Sequence, residues 1–168
     1  MAQHRIRYVL IRPYEPTDAR ATLEVFTRAV HETARNDYTA EQLAAWAPLG
    51  LDLTRWARKR EESDTVVAVD DDGAVIGFTD LDATGYINMM FVHPEWVRRG
   101  VATTLLNEII ARAHARGIRQ LSTHASVTAR PFFEAHGFIV SEQREPVLRG
   151  VALTNFAMQR LLHHGTTH

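Results

Sequence analysis

The chain lacks cysteine, an excess of either charge and any long apolar run. With no Cys among its 168 residues, neither a disulfide framework nor thiol catalysis is available. Its 19 Lys and Arg against 20 Asp and Glu give a formal net charge of -1, so nothing attracts it overall to nucleic acid or an anionic membrane. No apolar run could cross a bilayer, and the start lacks the apolar core of a secretion signal. These absences favour a soluble, cytoplasmic protein whose affinity for any anion is local.

Length and composition predict one domain without a metal. A chain of 168 residues, 45% of them hydrophobic, can bury one core of ordinary size. We expect a single domain over residues 1–162, followed by a C-terminal tail over residues 163–168. His163, His164 and His168 are spaced irregularly in this tail, which favours a frayed end over a metal site.

The first half of the chain is predicted to alternate helices and strands. Thr39, followed three residues later by Gln42, forms a capping box, and the Asp-rich turn before Gly73 is typical of a hairpin. The predicted elements are a strand over residues 6–11, helices that start near residues 17, 40 and 53, and antiparallel strands over residues 65–69, 75–80 and 86–92.

The second half is built around a long helix. Apolar residues from Val101 to Ala113 recur at helical spacing, and Gly117 ends the helix. A strand over residues 121–125, a short helix over residues 128–136 and strands over residues 138–142 and 151–158 complete the order. The strands on either side of the long helix are expected to be parallel, so the fold class is α/β with a mixed sheet.

The most informative segment is residues 91–106, where a strand leads through a basic glycine turn into the long helix. The first turn of a helix offers unpaired N–H groups and a partial positive charge to an anion. Taken alone, a turn such as Arg98-Arg99-Gly100 is more often an ordinary loop, because Gly and Arg are common at helix starts. It gains weight only together with a second motif downstream.

Residues 86–106 and residues 121–138, which contain that second motif, together resemble the GNAT superfamily of acyl-CoA-dependent N-acetyltransferases. The family turn has the pattern Gln/Arg-x-x-Gly-x-Gly/Ala, which residues 97–102 match except at Val97. The second family block, Phe-Tyr-Glu-x-x-Gly-Phe, is similar to residues 132–138, with Phe133 in place of the tyrosine. The resemblance implies an α/β (α+β) fold with a mixed, mostly antiparallel sheet of six to seven strands, splayed central strands and about four flanking helices.

The resemblance also implies a binding site for acetyl-CoA. In the family, amides of the glycine turn hold the pyrophosphate, and the splayed strands receive the pantetheine arm and the thioester. A backbone N–H near Phe91 or Val92 would stabilise the oxyanion. The implied cofactor-binding residues are Arg98, Arg99, Gly100, Val101, Ala102 and Thr103 for the pyrophosphate, Phe91 and Val92 for the pantetheine arm, and Ser126, Ala129 and Phe133 for its far side.

Acetyl transfer to an amine needs a base, and His124 is the candidate. Strand alternation places Ser122, His124 and Ser126 on one face, and the ordinary pKa of histidine, about 6.5, suits a base near neutral pH. The alternative is a histidine that only satisfies its neighbours. Tyr86 stands where several family members carry a carboxylate base, with Asn88 on the same face. Both are assigned to substrate orientation or water positioning, against ordinary sheet packing.

The acceptor end of the cleft is assigned, by the resemblance, to His31, Tyr38 and Trp46. Tyr38 could instead be a hydrophobic staple before a capped helix, and Trp46 could be a core residue. As pocket residues, these aromatic side chains would suit a flat or apolar amine.

These features predict an N-acetyltransferase. It would move an acetyl group from acetyl-CoA to a primary amine of a small molecule, by direct attack within a ternary complex. One alternative is a non-catalytic acyl-CoA-binding sensor or regulatory domain, since Phe133 cannot protonate a leaving thiolate. Another is a phosphate-binding module unrelated to coenzyme A. An exposed final strand could also pair two copies into a homodimer.

Overall fold

The computed structural model describes residues 8–163. Its α-helices are Ala19–Arg28 (α1), Ala40–Trp46 (α2), Leu53–Glu62 (α3), Val101–Ala115 (α4) and Arg130–Ala135 (α5). Its strands are Leu10–Pro13 (β1), Thr65–Val69 (β2), Val75–Asp80 (β3), Tyr86–Ile87 (β4), Met90–Val92 (β5), Gln120–Ser126 (β6), Ile139–Arg144 (β7), Val147–Leu148 (β8), Val151–Ala152 (β9) and Asn155–Leu161 (β10). Short helical turns at Pro16–Asp18, Ala29–Thr33 and Pro94–Trp96 complete the described elements.

The strands form two four-stranded sheets and a small hairpin. The first sheet has the order β1-β2-β3-β5 and is antiparallel throughout. The second has the order β4-β6-β10-β7, in which β4 and β6 are parallel and the other pairs antiparallel. The hairpin of β8 and β9 stands apart from both sheets. This mixed architecture confirms the predicted fold class.

The segment predicted as one antiparallel strand, residues 86–92, instead divides between the two sheets. Its first part, β4, lies parallel to β6 with Tyr86 opposite Ser122. Its second part, β5, lies antiparallel to β3 with Phe91 opposite Phe78. The sheets therefore separate between β5 and β6, which is the splay that the resemblance implies.

Two further predicted boundaries are wrong, and one falls partly outside the described residues. The first strand begins at Leu10 rather than at residue 6, and residues 6 and 7 lie outside the described part. The predicted strand over residues 151–158 is interrupted, because Val151–Ala152 pairs back onto β8 and β10 begins only at Asn155. Of the predicted tail, residues 164–168 are likewise outside the described residues.

The helix starts follow the local sequence. Thr39 and Gln42 form the predicted capping box, with Gln42 N 3.1 Å from Thr39 Oγ1 and Thr39 N 2.9 Å from Gln42 Oε1. Asp52 caps α3 by accepting a hydrogen bond from Arg55 N at 3.1 Å. These short-range contacts explain why the starts of α2 and α3 could be predicted from the sequence.

Two groups of buried side chains cover opposite faces of the sheets. Helices α4 and α5 pack Leu105, Ile109 and Phe133 onto one face, in a cluster that spans both sheets. Helices α1 to α3 cover the other face of the first sheet, with Phe26 and Trp56 in their cluster. The polar face of the second sheet, which carries His124, is left beside the gap between the sheets.

No helix within residues 8–163 is long and apolar enough to cross a membrane. Over the same residues, no group of three or more His, Asp or Glu side chains is arranged to hold a metal ion.

Candidate active site

The two sheets diverge around a cleft of about 1500 Å³. Its walls come from the splayed strands, the N-terminus of α4, α5, the β8–β9 hairpin and the region around α2. The predicted site residues that line it are Tyr38, Trp46, Tyr86, Asn88, Phe91, Val92, Arg98, Gly100, Val101, Ala102, Thr103, His124, Ser126, Ala129 and Phe133. Folding thus brings residues from seven separate segments of the chain to one cavity.

The basic glycine turn presents the N-terminus of α4 to this cleft. Gly100 is the N-cap, and its φ of 82° is a left-handed conformation that glycine adopts without strain. Because glycine has no side chain, the cap leaves the first-turn N–H groups without the usual side-chain acceptor. The helix dipole adds a partial positive charge at the same place. This end of the cleft is therefore suited to an anion.

The two arginines of the turn have different positions. Arg98 lines the cleft and adopts a φ of 60°, which is unusual for a residue with a side chain. Arg99 lies outside the cleft lining, and its guanidinium carbon is 5.3 Å from the centroid of the Trp96 ring. Of the predicted pair, Arg98 is thus the one oriented to meet an anion in the cleft.

Strand β5 directs part of its backbone into the gap. The His93 amide donates to the Ile76 oxygen at 2.8 Å, which sets the alternation of the antiparallel pair. Phe91 then faces β3 with its backbone groups, whereas Met90 and Val92 face away from it, toward the gap. Near the predicted position, the N–H groups that face the gap are therefore those of Met90 and Val92.

The opposite wall of the gap is formed by the end of β6 and the start of α5. Ser126 accepts a hydrogen bond from the Ala129 amide at 3.0 Å, which closes the turn between them. Phe133 is buried, and its ring makes edge contacts with two other rings. The ring centroids are 5.2 Å apart for Phe132 and 5.0 Å apart for Phe138. This wall is apolar where the family pattern has a tyrosine hydroxyl.

His124 and Tyr86 form a hydrogen-bonded pair on the polar face of the second sheet. The Tyr86 hydroxyl lies 3.1 Å from His124 Nδ1, and the ring centroids are 5.3 Å apart. The pair arises because β4 and β6 are neighbours, an arrangement that joins residues 38 positions apart. Asn88 is exposed and also lines the cleft.

The surroundings keep both members of this pair neutral near pH 7. Burial lowers the pKa of His124, the positive charge of Arg144 lowers it further, and Glu142 partly opposes them. Burial raises the pKa of Tyr86, against the influence of Arg144. A neutral His124 with its proton on Nε2 accepts the Tyr86 hydroxyl hydrogen at Nδ1. In this tautomer the basic nitrogen of His124 is the one that the Tyr86 hydroxyl contacts.

The predicted acceptor residues Tyr38 and Trp46 pack together at the other end of the cleft. Their ring centroids are 5.4 Å apart. The Tyr38 hydroxyl donates to the Thr154 oxygen at 2.6 Å and accepts from the Val127 amide at 2.9 Å. Burial raises the pKa of Tyr38, so this hydroxyl stays protonated. Tyr38 thus joins three segments, and its ring contributes an apolar surface to the cleft.

His31 lies outside the cleft lining, unlike the other predicted acceptor residues. Its Nε2 is 2.7 Å from the backbone oxygen of Ala47, so its ring connects the turn after α1 to the end of α2. The β8–β9 hairpin is fastened to the same helix, since Gln42 Nε2 donates to the Ala152 oxygen at 3.0 Å. His31 therefore joins the turn after α1 to the end of α2 without lining the cleft.

Two charged residues beside the site were not predicted from the sequence. Arg60 and Asp80 form an ion pair at 3.1 Å in which both side chains are 2% exposed. The sequence does contain a signal for a buried arginine, because Arg60 follows Trp56 by four residues and so shares the buried face of α3. An arginine on an apolar face indicates a buried partner.

Comparisons with known proteins identify the family. The model of the GNAT acetyltransferase domain matches residues 34–160. The N-acetyltransferase YafP of Escherichia coli, described as uncharacterized, is 38% identical over 156 residues, which are 93% of this chain and 98% of that protein. The chain therefore belongs to the GNAT acetyltransferase family, as the sequence resemblance predicts.

Solved structures agree with this assignment. A GCN5-related N-acetyltransferase from Rhodopseudomonas palustris has 32% identity and a TM-score of 0.88, with 95% of this chain and 99% of that chain covered. The PaiA N-acetyltransferase from Thermoplasma acidophilum, solved in complex with coenzyme A, shares the fold at 18% identity with a TM-score of 0.76, covering 92% of this chain and 99% of that chain.

Proposed function

We propose that this protein transfers an acetyl group from acetyl-CoA to a primary amine of a small molecule, by direct attack within a ternary complex. The observation that carries the proposal is the N-terminus of α4, which has no side-chain cap and opens into the same cleft as the Tyr86–His124 pair. One end of the cleft suits the diphosphate of the coenzyme, and the other holds groups that can accept a proton.

The coenzyme would enter along the gap between the sheets. Amides of residues 101–103 and the side chain of Arg98 would bind the pyrophosphate. The pantetheine arm would lie between β5 and the start of α5, beside Phe133. Its thioester oxygen would then accept a hydrogen bond from the backbone N–H of Met90 or Val92, which stabilises the oxyanion formed on attack.

The Tyr86–His124 pair supports proton removal from the amine. At pH 7, deprotonating an alkylammonium with a pKa of about 10.4 costs about 4.6 kcal/mol, whereas expelling a thiolate with a pKa of about 8.5 costs about 2 kcal/mol. The base therefore matters more than an acid. Tyr86 would pass the proton of the attacking amine to His124 Nδ1, while Asn88 orients the substrate. The thiolate can leave without the hydroxyl that Phe133 lacks.

The rim of the acceptor end favours an aromatic or apolar amine. The rings of Tyr38 and Trp46 line this end, together with Val147 and Leu148 of the hairpin. An arylamine is already neutral at pH 7, so it also avoids most of the cost of deprotonation.

A charge placed on α4 tests coenzyme binding. Ala102→Glu should weaken acetyl-CoA binding by about tenfold or more, because its carboxylate would repel the diphosphate while still suiting the helix dipole. Asn107→Glu adds the same charge at an exposed position outside the cleft lining and should bind normally. Titration calorimetry measures both. Absence of binding to the parent protein at millimolar acetyl-CoA would refute the proposal.

A non-catalytic acyl-CoA sensor is the second candidate, and Phe133 is the observation that favours it. Both functions include coenzyme binding, so the distinguishing measurement is thiol release from acetyl-CoA with arylamines, polyamines, amino acids and peptides. Acetyl transfer predicts turnover with a member of this panel, and loss of turnover but not of binding in His124→Gln. Silence with every amine, despite binding, would favour the sensor.

A further inference from the structure

The chain leaves one sheet for the other at Asn88 and Met89, between β4 and β5. At such a crossing the backbone loses its regular ladder partners, yet buried N–H groups must still find acceptors. The Met89 oxygen keeps its place against β3, where it accepts from Asp80 N at 3.2 Å and from Thr79 Oγ1 at 2.8 Å. The two N–H groups at the crossing require a different acceptor.

The side chain of Asp80 provides that acceptor. Its Oδ1 accepts from Asn88 N at 2.7 Å and from Met89 N at 3.2 Å. A carboxylate on β3 thus replaces the backbone oxygen that a continuous ladder would use. Because the acceptor is a side chain and not a backbone oxygen, it can bind the amides of Asn88 and Met89 directly after β4 has paired with β6.

Arg60 holds this carboxylate in place. Its guanidinium donates from Nη1 to Asp80 Oδ2 at 3.1 Å, on the side opposite the two amides. Its guanidinium carbon lies 5.0 Å from the Trp56 ring centroid and 5.9 Å from that of Phe78. A charge-assisted hydrogen bond in so buried a place restricts Asp80 to one orientation.

We infer that Asp80, oriented by Arg60, is a positioning residue that holds Asn88 and Met89 at the end of β3 and so fixes where β5 begins, which keeps the N–H groups of Met90 and Val92 directed into the gap. Its catalytic consequence rests on the proposed acetyl transfer, because those N–H groups are the candidate oxyanion donors. Its structural consequence, protection of two amides by a side chain, does not depend on any activity.

Two matched double variants separate the hydrogen-bond acceptor from the charge. Arg60→Met/Asp80→Asn removes both charges but keeps an oxygen at the position of Oδ1. Arg60→Met/Asp80→Leu removes both charges and the oxygen as well. Amide hydrogen exchange of Asn88 and Met89 is measured by NMR in both, with amides of β2 as the internal control. Arg60→Met/Asp80→Ala serves as a second acceptor-free variant if the leucine variant does not fold.

The acceptor-free variant should exchange these two amides at least about tenfold faster than the asparagine variant. With an amine from the panel, its kcat should be lower by about 100-fold, comparable to the loss of an oxyanion donor, while its affinity for coenzyme A stays unchanged. Equal exchange in the two variants would overturn the inference. If the parent transfers no acetyl group, the proposed function fails, but the exchange comparison still decides the role of Asp80.

Discussion

His124 shows how burial and nearby charges together set the pKa of one residue. Burial, assisted by Arg144, lowers its pKa and Glu142 acts in the opposite direction. Arg144 is itself oriented by a hydrogen bond from Nη1 to Asn155 Oδ1 at 3.2 Å. The imidazole therefore stays neutral at a lower pH than a free histidine would, and we expect base catalysis by the proposed enzyme to persist to a lower pH than an unperturbed histidine would allow.

Changing the two charges should move the His124 pKa in opposite directions. Arg144→Gln removes a positive charge that disfavours the imidazolium, so the pKa should rise. Glu142→Gln removes a negative charge that favours it, so the pKa should fall. NMR titration of the ring measures both shifts, and the acid limb of kcat/KM should follow them. Shifts of the same sign in both variants would contradict this electrostatic account.

At the scale of single elements, helix starts serve both stability and the site. The capping box of Thr39 and Gln42 starts α2, and this helix carries Trp46 at its other end. Gln42 also fastens the β8–β9 hairpin through the Ala152 oxygen, so one residue contributes both to the cap and to the position of the hairpin. The start of α4 is different, because Gly100 caps it without a side chain and leaves its first-turn N–H groups without a side-chain acceptor.

Removing the α2 cap should cost stability without affecting the coenzyme site. Thr39→Ala should lower the free energy of unfolding by about 1 kcal/mol, because the N–H of Gln42 loses its acceptor. Thr54→Ala, an exposed threonine in the first turn of α3, is the control and should change stability by less than about 0.5 kcal/mol. Urea unfolding measures both. An equal loss in the two variants would show that the cap contributes nothing.

At the scale of the whole molecule, the Arg60–Asp80 pair ties α3 to the crossing between the sheets. Both side chains are buried, so removing one leaves the other charge without its partner. Arg112 and Arg116 also pair with Asp64, but there the side chains are between 25% and 43% exposed. Solvent screens such surface pairs and reduces their contribution.

The two kinds of ion pair should respond differently to removal of one partner. Arg60→Met should destabilise the protein by about 3–5 kcal/mol, because it strands the buried Asp80 carboxylate. Asp64→Asn should cost about 1 kcal/mol at most, and Asn tolerates the φ of 50° at that position. Thermal unfolding of the parent protein and the two variants measures both losses of stability. Similar losses would indicate that Asp80 is not held in a buried pair.

Local patterns account for the parts of the structure that were predicted correctly. The capping box, the Asp-rich hairpin turn and the apolar spacing of α4 each act within a few residues, so the sequence alone locates these elements. The division of residues 86–92 has no such local signal, because it depends on which strands lie on either side. The small hairpin at residues 147–152 is different, because it is closed locally by Arg149 and Gly150, whose φ values of 49° and 78° belong to a tight hairpin turn.

By itself, the sequence determined the family and the nature of the glycine turn. Both depend on residues close together in the chain, where backbone conformation and helix capping follow from residue type. Only the tertiary structure decided that Tyr86 meets His124, that Asp80 accepts from the Asn88 amide, and that His31 contacts the Ala47 oxygen outside the cleft lining. These contacts join distant segments, and strand order and packing bring them together only in the folded chain.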